Sequence, residues 1–351
     1  MRCLFLAVAF LLTPALFAED AGKHANLVVK PDAFQTLVNP QCSHCRDEAK
    51  RRAGELRDND RVLCWTRGYS DGGAIPYRFF LSPYRVISDS YGVFVYDADA
   101  GYARGYAPSY NFRFHGWRNG VMVMKHKDGT LYSCLTGLAF DGPKKGTRLK
   151  SIPTLASTWG FWLEHYPQAV AYHMFDKYKP VELPTAINDD SKKSRPTADD
   201  RLAADAPVLG VWTGKEARAY PAEAVEKAVL LEDKLDGRTC YVLWQAKTGA
   251  AAAYLPEATA PRKYEGPHPN EDGEAPPDKT PEGPKKSVRL KLDAKNPAAP
   301  FLDEDSGSHF DIAGRGVDGK LKGWTLAWLD STQVKWFAWA AEYPKTTVYG
   351  K

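Results

Sequence analysis

The feature that most constrains this 351-residue chain is a long-range internal repeat. "GLAFDGPKKGTRL" at 137–149 returns as "GRGVDGKLKGWTL" at 314–326, and "WGFWLEHYP" at 159–167 returns as "WFAWAAEYP" at 336–344. Gly137, Asp141, Gly146, Trp159 and Trp162 match Gly314, Asp318, Gly323, Trp336 and Trp339. Gly142, Leu149, Tyr166, Pro167 and Tyr172 match Gly319, Leu326, Tyr343, Pro344 and Tyr349, and all ten pairs keep one offset of 177 residues. Chance matches would drift in offset and would not favour Trp, Gly and Pro. The repeat predicts two copies of one β-rich unit.

Local patterning gives the elements. "RVLCWTRG" (61–68), "YGVFVYDAD" (91–99), "GVMVMKH" (120–126), "VLGVWTG" (208–214) and "TCYVLWQA" (239–246) read as strands, with "KDG" as a hairpin turn before "TLYSCL". Helices are expected at 42–57, 154–165, "PAEAVEKAV" and 332–342. The expected fold is α+β: a β-rich duplicated unit with short helices packed on mixed or antiparallel sheets. "MRCLFLAVAFLLTPALFAED" reads as a secretory leader over 1–18, with no later run apolar enough to span a membrane. An N-terminal segment follows at 19–60, then unit one at 61–180, a linker at 181–206 and unit two at 207–351. Pro76 to Gly137 spans 61 residues and Pro221 to Gly314 spans 93, so the Pro-rich stretch at 257–287 is an insertion into a loop of unit two. The expected location is extracytoplasmic, either periplasmic or secreted. With 47 basic and 43 acidic residues, nothing argues for nucleic acid.

Leader removal takes Cys3 and leaves Cys42, Cys45, Cys64, Cys134 and Cys240, an odd number and no disulfide scaffold. Cys42 and Cys45 in "NPQCSHCRDE" form the sharpest motif. At a helix start, a thiol is stabilised as thiolate, and His44 adds a further ligand or charge. The pair reads as redox-active with an envelope redox or protein partner, as a thiophilic metal site for zinc or copper, or as structural. Cys134, with His115 or His126 as base, gives a hydrolase alternative; His309 is a further metal candidate. Met122 and Met124 read as core. Asp141 and Asp318 before glycine read as turn chemistry rather than acid–base pairs, and Gly137, Gly146, Gly314 and Gly323 are not phosphate loops. The paired Trp residues read as helix-docking anchors. "NFRFHGWRNG" (111–120) is a candidate pocket rim.

These residues resemble a bacterial family catalogued as domain of unknown function 3179, common in extracytoplasmic proteins. Its pattern runs from an "AYP" segment through "TYCPLCGTA" and "MYDRxTGSxWxxxxGxAxxGPxxGxxLxxLP" to "TTWxxWxxxxPxT". Residues 124–153 and 157–167 match closely, as do 216–225, 305–326 and 334–349. The resemblance places the family's Cys-Pro-Leu-Cys on "DADA" (97–100) and "QAKT" (245–248), with Gly101 and Gly249 retained. Both copies have lost that dithiol, and Asp97 and Asp99 stand in part of its place. The resemblance implies location and fold and carries no established activity. A non-catalytic interaction or scaffold module is therefore the second reading beside the Cys42–Cys45 chemistry.

Overall fold

The computed structural model describes residues 25–51, 53–66, 72–80, 84–172, 188–261, 269–277, 279 and 281–351. The leader expected over 1–18 lies outside the described residues.

The second half builds one continuous curled sheet. In spatial order its strands are Leu230–Leu235, Arg238–Gln245, Ala250–Thr259, Thr325–Lys335, Pro207–Trp212, Ala217–Pro221 and Thr347–Val348. The final pairing is parallel and the others antiparallel. Successive side chains of a strand point to opposite faces. Along Arg238–Gln245, Cys240 and Val242 enter one core while Tyr241 and Leu243 enter another. Burial on both faces explains the unbroken apolar run.

The first half repeats this order in two pieces. Thr154–Thr158, Arg61–Trp65, Gly73–Pro76, Val170–Tyr172 and Cys42–His44 form one sheet; Gln35–Val38, Tyr84–Ser88, Val93–Asp97 and Tyr102–Tyr106 form the other. Val170 again pairs in parallel, with Gly73. Where the second half has a full ladder, the first has a seam: Ile152 N donates to Gly105 O at 3.0 Å and Tyr106 bridges Ser151. A further sheet of five strands, Leu27–Val29 to Ala139–Asp141, has a three-stranded counterpart in Leu290–Leu292, Phe301–Asp303 and His309–Phe310.

The sequence repeat reappears as repeated hydrogen bonds. Leu149 N donates to Gly137 O at 2.9 Å, and Leu326 N to Gly314 O at 2.8 Å. Gly146 N donates to Ala139 O, and Gly323 N to Gly316 O. Gly137 (φ 67°) and Gly314 (φ 75°) are needed on two counts. Each has left-handed backbone, and a Cβ would lie 2.7 Å from the Tyr106 ring or 2.6 Å from that of Tyr254.

The halves are interlocked through their tryptophan helices, Trp159–His165 and Trp336–Glu342. Trp159, Trp162 and Tyr166 pack in one core with Tyr241, Tyr254, Phe310 and Ile312 of the second half. Trp336 and Trp339 pack with Tyr102, Tyr106, Phe112 and Trp117 of the first. Met122 and Met124 lie in that same core. Each half also keeps a core of its own, around Trp65 and Phe94 or around Val211 and Tyr220.

Two expectations about helix bounds are corrected. The helices expected from 154 and 332 begin at Trp159 and Trp336. Residues 154–158 are instead a strand in register with Arg61–Trp65, where Thr154 and Ser157 are buried. The helix expected over 42–57 spans only Cys45–Arg51, because Cys42–His44 is drawn into a ladder with Val170–Tyr172. The 257–287 insertion is anchored at both ends: Glu257–Thr259 pair with Lys285–Ser287. The linker carries a helix, Asp189–Lys193, capped by Asn188 Oδ1 and docked through Ser194 Oγ, which accepts from Gly120 N at 3.0 Å.

Candidate functional site

Cys42 lies in the edge strand opposite Tyr172, and Cys45 opens the next helix, so the two thiols do not share a helix face. The described cysteines form no disulfide. Burial pushes the Cys42 thiol up; a hydrogen bond from Tyr91 opposes this and Asp89 adds to it. Cys45 is fully buried in one core with Cys64, whose thiol burial raises well above its ordinary value. His44 Nδ1 sits 2.8 Å from Gln168 O. The motif therefore borders Asp89, Tyr91 and Tyr172 rather than the turns at 97–101 and 245–249.

Those two turns match each other. Gly101 N donates to Asp97 O and Gly249 N to Gln245 O, both with positive φ at the glycine. Asp97 is buried and closes its turn by accepting from Asp99 N, Ala100 N and Met122 N, each at 3.0 Å. Burial, with the charge of Asp99 added, pushes its carboxyl up to about 6. Asp99 accepts from Asn188 N at 2.8 Å.

The remaining candidates stand apart. Cys134 is buried beneath Tyr106, whose hydroxyl donates to Cys134 O, and burial holds its thiol well above the usual range. His126 gives its ring nitrogens to Asp128 and Glu274, at 2.9 and 2.6 Å, fastening the 269–275 part of the insertion onto the first half. His115 is lowered by partial burial and by Lys125. His309 lies between Asp293 and Asp318, at 3.1 and 2.9 Å. Desolvation lowers its pKa, but the hydrogen bonds to these two carboxylates prevail and raise it. Among the described residues no three His, Cys, Asp or Glu side chains are arranged to hold a metal ion.

A different place brings polar groups together. Where the first tryptophan helix meets the glycine loop of the second half there is a cavity of about 420 Å³. Its wall includes His165, Tyr166, Asp311, Arg315 and Lys322. Tyr166 Oη donates to Asp311 Oδ2 at 2.5 Å, across the two halves. Ala313 N and Arg315 N donate to Asp311 Oδ1 at 2.9 and 3.0 Å. Burial pushes the Asp311 carboxyl up against these bonds. The Arg315 guanidinium sits 5.2 Å from the centre of the Tyr166 ring.

At the corresponding corner of the second helix an arginine meets the tyrosine. Arg148 Nη1 donates to Tyr343 Oη at 3.0 Å and to Thr136 O at 2.6 Å. Beside it Arg104 pairs with Asp330 at 2.6 Å, and Ser151 Oγ donates to Asp330 at 2.8 Å. The sequence reading used Tyr166 only as a repeat anchor and missed the others. The available signal was departure from the repeat: Asp311 stands where the first copy has Cys134, and Arg315 where it has Leu138.

Fold and cavity define an α+β, β-rich protein with short helices on mixed and antiparallel sheets and a cavity where the first tryptophan helix meets the glycine loop of the second half. The chain belongs to the family described as protein of unknown function DUF3179, whose profile matches residues 109–346. No curated protein and no solved structure matches the chain. Among the described residues no helix is long and apolar enough to cross a membrane.

Proposed function

We propose that the protein is a non-catalytic, extracytoplasmic binding module whose ligand site is the cavity at the first tryptophan helix. The observation that carries this reading is the Tyr166–Asp311 contact on the cavity wall. Burying a carboxylate is costly, and an apolar pair would join the halves at least as well. A buried polar group facing a cavity between two halves is where a ligand site is expected. The leader-like N-terminus supports the location. Ala298 lines the cavity, and Ala298→Trp places an indole in it. In a thermal-shift screen of small molecules, hits on the wild type are expected to vanish in A298W while the circular dichroism spectrum is retained. Hits that persist in A298W would sink the assignment.

A second reading keeps Cys42 and Cys45 as an envelope thiol-redox or zinc or copper site with a protein partner. What favours it is the exposure of Cys42 next to a helix start packed in one core with a third thiol, Cys64. Metal content and thiol count are measured on the wild type and C42S/C45S. Stoichiometric metal, or a reducible bond, that disappears in the variant supports it; an inert, metal-free wild type removes it.

A further inference from the structure

We infer that the linker and the second tryptophan helix form a docking site for the C-terminal carboxylate of a partner polypeptide, received by Arg195. The site is distinct from the cavity of the binding reading above and does not depend on it.

The linker helix fixes the arginine. Ser191 Oγ donates to Gly120 O at 3.3 Å, and Ser194 Oγ accepts from Gly120 N at 3.0 Å. Arg195 is thereby set against Gly120, where a Cβ would lie 2.9 Å from Arg195 Cγ. Its guanidinium lies 3.6 Å from the centre of the Phe337 ring. Beside this stack is a cavity of about 420 Å³, a ligand-sized space lined mostly by small or apolar residues, among them Pro196, Ala204, Ala340, Ala341 and Pro344.

The charges on the wall fix the sign of the ligand. Asp199 is fully occupied: its Oδ1 accepts from Arg201 N and Nε at 3.0 Å, and its Oδ2 from Arg201 Nε and Nη2 at 3.1 and 2.7 Å. That pair cancels. Asp190 pairs with Lys193 at 3.5 Å, and Glu342 accepts from Asn119 Nδ2 and Thr136 Oγ1. Arg195 has no carboxylate partner among the described residues. Its Nε and Nη2 are buried without a hydrogen bond, which leaves Nη1 as the nitrogen open to a ligand. A guanidinium keeps its proton, and the face of Phe337 is a weaker partner than a carboxylate. A chain end fits the rest of the wall. Nothing among the described residues pairs with the amides of Thr197 and Ala198, both exposed beside Arg195, so a peptide lying along them finds backbone donors as well as the cation.

The test is calorimetric titration of the full chain with an acetylated tetrapeptide ending in alanine and leucine. It is made with a free C-terminus, with an amidated C-terminus, and with glutamate replacing leucine under an amidated C-terminus. The free acid is expected to bind, with the amide weaker by about tenfold or more. Arg195→Met keeps the stem on Phe337 and removes the charge, and is expected to weaken the free acid by about tenfold. Ala341→Trp, at a half-buried position on the wall, is expected to abolish binding. Acid and amide are compared on the unaltered protein, so that arm decides even where a variant misfolds. Equal binding of acid and amide, binding that survives both variants, or no binding of any peptide overturns the proposal. The glutamate amide binding as tightly as the free acid overturns the chain end in favour of a side-chain carboxylate. A298W is expected to leave the free acid untouched. Loss of binding there moves the peptide to the first cavity and overturns this site, whereas failure at Arg195 alone leaves the reading of the first cavity standing.

Discussion

Asp97 shows how a single buried carboxyl sets the behaviour of a turn. Its carboxyl, 1 % exposed, accepts from three backbone amides and is nevertheless pushed from 3.8 to about 6, because desolvation outweighs those bonds. A carboxyl raised in the folded state stabilises fold when protonated. Its contribution is full below pH about 4 and is lost as pH rises through about 6. Urea unfolding should therefore show the wild type losing about 2 kcal/mol relative to Asp97→Asn between pH 4 and pH 7. Parallel pH curves for the two proteins would refute this. Position 97 was visible in the sequence as a place where the family pattern changes, but its role was not. Whether an aspartate beside a turn faces solvent or caps three amides depends on the Val121–His126 strand behind it, through Met122 N. Gly137 and Gly314 were more legible, because a recurring glycine already implies a backbone that side chains resist.

At the scale of elements, the two tryptophan helices are short, at seven residues each, and owe their stability to tertiary packing rather than to propensity. Trp162 is fully buried, and Trp339 nearly so with its Nε1 donating to Thr346 Oγ1 at 2.9 Å. Trp162→Ala and Trp339→Ala are each expected to cost about 3–5 kcal/mol. Because Trp162 shares its core with both halves, W162A should speed amide exchange around 312–314 as well as around 62–64, and both more than around 93–97. Exchange that rises only within the first half would contradict the interlocked packing. The i, i+3 spacing of the Trp pairs revealed the helices, yet not where they start. Thr154–Thr158 and Gln333–Lys335 fit either state locally, and pairing with Arg61–Trp65 or Pro207–Trp212 decides for strand. The same competition shortened the cysteine helix, whose first residues complete a sheet edge.

At the scale of the whole molecule, the repeat foretold two related units but not how they engage. Sequence similarity between copies is silent about which copy a helix packs against, and the answer here is both: Trp162 shares one core with Val62 and Leu155 of its own half and with Tyr241 and Ile312 of the other. Fragments 25–180 and 181–351, made separately, should each lack native near-ultraviolet signal and should recover it together as a one-to-one complex. A fragment that unfolds cooperatively by itself would show that the cores are more independent than the packing implies. The site follows the same logic. Tyr166 lies 145 residues from Asp311 along the chain, and only the meeting of one half's helix with the other's loop makes it a neighbour of Asp311 and Arg315.

The first tryptophan helix also sets a timetable. Trp162 leaves the ribosome about 150 residues before Ile312, with which it shares a core, and at about 5–20 residues per second that gap lasts roughly 8–30 s. Throughout it, the helix with its two indoles is covered only on the side of Val62, Cys64, Ala74 and Leu155, and the second-half part of its core is missing. The nascent first half is therefore a client for holding chaperones, and slowing synthesis anywhere between the two segments should lower the yield of native protein more than slowing it after residue 330.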